Sequence, residues 1–275
     1  MTDLCEPATA APVDFEAVGP IDRCSADRLL LTTRSIRRRL DLDRAVDPRL
    51  IEEALEVAVH APTASNRQSW RWVVITEPAL KEQIADCYRL AWGHYRSMMS
   101  VGRKRRFAGA EQLDDVAAMR TQRSAEHLAE NLHRVPVLVI PCVQGHVPDP
   151  VATDERWRKR SQAFRDSGRQ HHKGDVPDPE TVGLVELASY FGSIFPAVWS
   201  FQLALRARGL GSSLTSMHLP YSKIVGEAIG IPPSVTQTGL VAVGHLIGEP
   251  GPAPRLPASE LTCWNRWSID KVRRP

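Results

Sequence analysis

The uncharged stretch at residues 187–205, "LASYFGSIFPAVWSFQLAL", restricts the possible folds of this 275-residue chain more than any other segment. A helix of that length and polarity either crosses a bilayer or packs inside protein, because water would wet too much of its apolar surface. Ser189, Ser193, Ser200, Gln202 and a central Pro196 dilute it, and Glu186 and Arg206 bound it closely. The expectation is therefore a helix buried in a core or a subunit interface, with no membrane association.

Other segments carry clear periodicities. "WRWVVIT" has the aromatic and β-branched character of a strand, "PVLVIPCV" reads as a strand buried on both faces, and "QTGLVAVGHLIG" as a further strand. "DPRLIEEALEVAVHAP" reads as a helix capped by Asp47, opened by Pro48 and stopped at Pro62, with Leu50, Ile51, Ala54, Leu55 and Ala58 at helical spacing. Helices are also expected in "ALKEQIADCYRLAWGHY" after Pro78, through most of the basic region 96–134, and in "YSKIVGEAIGIP". Helices outnumber strands and do not alternate with them at the interval of a doubly wound sheet, which points to an α+β architecture.

No repeat or composition shift divides the chain. We expect a loose N-terminal leader over residues 1–25 and one domain over 26–275, with a variable lid or excursion around 145–180, where the sequence is charged and aperiodic. The first twenty residues are acidic and rich in Ala and Pro, unlike an export signal. Cys5, Cys24, Cys87, Cys142 and Cys263 are scattered and form no CxxC pair, which fits free thiols and a cytoplasmic location. His171 and His172 are adjacent without other ligands at metal-binding spacing, so no metal site is expected.

With 35 basic against 32 acidic residues, the chain lacks the excess expected of a polyanion-binding surface. "RSIRRRLDLDR" and "GRKRRF" could still contact nucleic acid, but no aromatic platform interleaves them, and we expect no such partner. The motifs GxSxG, HExxH, the Walker loop and GxGxxG are absent. Three sets of residues suited to holding a ligand remain. Arg34, Ser35 and Arg37, read as one helical turn, would put two guanidiniums and a hydroxyl on one face, matching a phosphate monoester. The loop "APTASNRQSW" offers backbone groups and the carboxamides of Asn66 and Gln68 to a polar heterocycle. "GLGSSLTS" offers either close backbone approach to a ligand, or a helix cap at Gly209 followed by a turn.

In this order and spacing, "TTRSIRRRL", "APTASNRQSWRWVVI", "ALRARGLGSSLTS" and "GIPPSVTQTGLVAVGHLIGEP" resemble the FMN-dependent nitroreductase superfamily. The resemblance implies a mostly antiparallel sheet flanked by helices, in an intertwined homodimer with FMN at the interface. It assigns the FMN phosphate to Arg34, Ser35, Arg37 and Arg255. It places Pro62, Thr63, Ala64 and Asn66 against the flavin from the partner subunit, and Leu214, Thr215 and Ser216 near its reactive N5. It implies NADH or NADPH as donor and a small aromatic acceptor, such as a nitroaromatic or quinone. Relatives that dehalogenate aromatic amino acids, dehydrogenate peptides or destroy their own flavin offer an alternative reaction on the same fold. The chain departs from the pattern at Thr33, Arg39 and Ser69, where an arginine, an aromatic residue and a proline are usual.

Overall fold

The computed structural model describes residues 19–101, 115–149, 151–153, 155–156, 159 and 179–267. Cys5, "GRKRRF", His171, His172 and most of the 145–180 excursion lie outside the described residues.

The architecture follows from which strand residues face which helices. Strands β1 (Leu40–Asp41), β2 (Trp70–Ile75), β3 (Val137–Gln144), β4 (Leu210–Thr215), β5 (Val235–Gln237) and β6 (Leu240–Leu246) form one six-stranded sheet with antiparallel ladders. β6 is central, pairing with β4 along one edge and with β3 and β1 along the other. Leu138, Ile140 and Cys142 of β3 enter one buried cluster, with Ile84 and Tyr88 of α3 (Pro78–Val101), Leu128 of α4 (Asp115–Asn131) and Val225 of α6 (Ser222–Ile229). Val137, Val139 and Val143 enter the other, with Ile51 and Ala54 of α2 (Pro48–Ala58) and with α5 (Pro179–Ala207). Covering both faces explains why β3 is apolar at successive positions instead of alternating with polar residues. The α+β class and the mostly antiparallel sheet expected from the sequence are present.

The uncharged segment forms most of α5, with Pro196 inside the helix. Its residues from 183 to 207 are long and apolar enough to span a bilayer, but Ile194, Ala197, Val198, Phe201 and Leu205 pack into the second core. The opposite face leaves Leu184, Phe195 and Trp199 exposed.

Three expectations need correction. "QTGLVAVGHLIG" is two strands, broken at Thr238 and Gly239. Pro141, inside β3, has no N–H to donate, and its carbonyl instead accepts from both Thr238 N and Thr238 Oγ1, each at 2.9 Å. α1 (Arg23–Thr32) precedes the sheet and has no buried residue in this chain. "GLGSSLT" contains β4; Gly209 caps α5 at φ 77°, but a strand follows in place of a turn. The Arg34–Arg37 segment is not helical, because α1 has already ended at Thr32.

Candidate functional site

Where α1 stops, Thr33 turns both its N–H and its Oγ1 hydroxyl to the Leu29 carbonyl, at 3.0 and 2.6 Å. The next residues run along the outer edge of β4, held by a hydrogen bond from Ile36 N to the Ser212 carbonyl at 2.8 Å. The Ile36 side chain is buried, whereas Arg34 and Ser35 are exposed and Arg37 is half-buried. An apolar anchor within R-S-I-R thus turns the polar side chains outward. Gly211 makes room for that anchor: a Cβ there would lie 2.7 Å from Leu246 Cδ2, 3.1 Å from Leu40 Cδ2 and 3.2 Å from Ile36 Cγ2. The close approach read from this glycine is therefore made by the protein's own side chains.

Arg34, Ser35, Ile36, Arg37, Arg38 and Arg39 line a cleft of about 550 Å³, closed by Arg120 and Ser124 of α4 and by Pro250 and Gly251. Among the described residues, no carboxylate forms an ion pair with any of these arginines. Burial lowers the pKa of Arg37, the nearby charge of Arg34 pushes the same way, and Tyr88 opposes both. A partly desolvated cation among like charges is costly unless an anion joins it. The phosphate of FMN fits this donor set, since guanidiniums bind its oxygens through short charge-assisted hydrogen bonds.

Tyr88 is a site residue that sequence reasoning missed. It is 3% exposed on α3, and its hydroxyl lies 3.0 Å from Thr215 Oγ1 at the end of β4. Burial raises its pKa, while the Thr215 hydrogen bond and the charge of Arg37 lower it. Thr215 Oγ1 also accepts from Met217 N at 3.3 Å. Tyr88 thereby links the arginine cleft to the segment Leu214–Ser216, in which Leu214 packs on the second core and Ser216 is exposed. The only sequence signal is a hydroxyl on the apolar stripe Ile84, Ala85, Tyr88 and Trp92. The first and third residue sets are therefore brought together within one chain.

Pro62, Thr63, Ala64 and Asn66 lie elsewhere, beside α5. Ala64 N donates to Ser193 Oγ at 3.0 Å, and Gln68 Nε2 donates to Asn66 Oδ1 at 3.0 Å. Ser65, Asn66 and Gln68 adopt left-handed backbone, with φ of 53°, 51° and 49°, a conformation rare for residues other than glycine. None of these loop residues lines the arginine cleft of the same chain. Arg255 does not line it either: it is exposed, and its Nη1 donates to the adjacent Pro254 carbonyl at 2.8 Å.

Comparison with known proteins identifies relatives of the chain and of its fold. A curated NADH dehydrogenase from Thermus thermophilus is 28% identical over 251 residues, covering 91% of this chain and 100% of the relative. Among solved structures, a BluB-like flavoprotein from Clostridium difficile superposes with a TM-score of 0.59 at 17% identity, covering 88% of this chain and 99% of that one. An iodotyrosine deiodinase bound to FMN and 3-iodo-L-tyrosine does so with a TM-score of 0.56 at 18% identity, covering 87% and 98%. Both structures share the fold. The Nitroreductase family model matches residues 30–245, from the end of α1 almost to the end of β6, and the chain belongs to that family.

Proposed function

We propose that this member of a flavin-dependent oxidoreductase family binds FMN, accepts reducing equivalents from NADH or NADPH, and passes them to an electron-poor aromatic acceptor such as a nitroaromatic or quinone. The carrying observation is the cleft with five arginines and, among the described residues, no paired carboxylate, joined through Tyr88 to the end of β4. Arg34, Ser35 and Arg37 hold the phosphate, and Arg255 joins them by a swing of its exposed side chain. Leu214, Thr215 and Ser216 lie along the flavin ring, and Tyr88 keeps Thr215 oriented. FMN, when bound, supplies the hydride chemistry, so the chain needs no nucleophile of its own.

A homodimer completes the site. The Pro62–Asn66 loop does not reach the cleft of its own chain, and on this reading it serves the flavin of the partner. The exposed aromatic face of α5 and the exposed Trp264 and Trp267 on the C-terminal arm support such an interface. Among the described residues Cys24, Cys87 and Cys142 are free thiols, which supports a cytoplasmic location.

The test is the visible spectrum of the purified protein, followed by anaerobic addition of NADH or NADPH. A yellow protein bleached by either donor is expected. Arg34→Ala should lose most of its flavin while keeping its far-ultraviolet circular dichroism; full flavin content in that variant refutes the phosphate assignment.

A further inference from the structure

The arginine cleft carries more positive charge than one phosphate monoester can match. Each guanidinium is cationic at any physiological pH, whereas a monoester carries at most about two negative charges. Once Arg34, Ser35 and Arg37 are given to the flavin, Arg38, Arg39 and Arg120 remain on the same lining, with Ser124 one helical turn beyond Arg120. These groups do not crowd onto one point. Residues 37–39 form a turn in which Arg37 is half-buried while Arg38 and Arg39 are exposed, and Arg120 reaches the same cleft from α4, so the lining guanidiniums come from two separate elements.

Among the described residues, the outer arginines also lack an internal counter-charge. Arg39 Nη1 donates to the Glu249 backbone carbonyl at 3.1 Å, but the Glu249 carboxylate turns away, to Arg28 at 3.5 Å and Arg206 at 3.3 Å. No ion pair forms at Arg38 or Arg120 among the described residues. The cleft volume of about 550 Å³ suits a whole small ligand better than a lone ion.

We propose that the cleft takes two phosphoryl groups at once: one on Arg34, Ser35 and Arg37, and a second on Arg38, Arg39 and Arg120. The second is either the 2′-phosphate of the nicotinamide donor or the additional phosphate of a flavin dinucleotide. This rests on the flavin reading above. It adds that the outer arginines select between ligands that differ by a single phosphoryl group. A charge-assisted contact of this kind discriminates by about tenfold or more.

The test uses the purified holoenzyme. The bound flavin is released by denaturation and identified by chromatography as FMN or FAD. Then kcat/KM is measured with NADPH and with NADH for the wild type, the double variant Arg38→Ala/Arg39→Ala, and Arg120→Ala. If FMN is released, NADPH is expected to exceed NADH by about tenfold or more, with the ratio falling toward one in the variants while they remain yellow. If FAD is released, the variants are expected to hold FAD about tenfold more weakly but FMN as well as the wild type does. Release of FMN together with equal use of NADH and NADPH by the wild type overturns the proposal. A colourless wild-type protein overturns the flavin reading itself, an outcome seen before any variant is made.

Discussion

Arg37 sits half-buried beside a second guanidinium and a tyrosine hydroxyl, and its surroundings show what residue type conveys and what it does not. That Arg34, Ser35 and Arg37 suit a phosphate is legible in the sequence, because guanidinium and hydroxyl chemistry goes with the residue. The role of Tyr88 is not legible, because it arises only when α3 brings the hydroxyl to Thr215, 127 positions away. His218 is a second residue whose behaviour depends on the fold. It is fully buried, and burial pushes its pKa from the ordinary 6.5 down to about 4, against a smaller opposing effect of Gln237. The folded protein therefore keeps His218 neutral, while the unfolded chain protonates it near its ordinary value. As pH falls from 6.5 towards 4 the unfolded state binds more protons, and folding loses up to about 3 kcal/mol through this one group. Urea unfolding at pH 7 and pH 4.5 should reveal the loss, and His218→Asn should make it smaller. An identical pH dependence in the variant would rule His218 out as the cause.

At the level of elements, β3 was readable because its apolar run has a single explanation, burial on both faces. The break between β5 and β6 was not, because it is caused by Pro141 in a neighbouring strand, nearly a hundred positions away. "GLGSSLT" has the composition of a turn and becomes a strand only because β6 offers it a partner across six paired positions. The same strand supports the arginine segment through Ile36, which makes Gly211 the position to test. Gly211→Ala should force Leu246, Leu40 and Ile36 to shift, costing about 1–3 kcal/mol as overpacked sites do. Because Ile36 lies between Ser35 and Arg37, flavin retention should fall along with the urea midpoint. A destabilised variant with wild-type flavin content would show that the two are independent.

For the molecule as a whole, α5 divides its apolar surface between the core and solvent. Its inner residues explain why the 187–205 segment belongs in a protein interior, and its outer ones explain why a single chain does not use all of it. Trp199→Glu places a charge on that outer face, where Trp199 is 40% exposed in one chain; the variant should sediment as a monomer if the face joins two copies, whereas an unchanged sedimentation coefficient would remove α5 from the interface. The proposed dimer is suggested at the level of sequence only by resemblance, since exposed apolar residues become visible after the fold has taken the others inside. The loop at Ser65, Asn66 and Gln68 has a further consequence. Its left-handed backbone excludes β-branched replacements at all three positions and favours glycine or asparagine, whatever the side chains touch. Evolutionary invariance in this loop would therefore be expected from chain geometry alone, and substitution tolerance there measures torsional strain before it measures recognition.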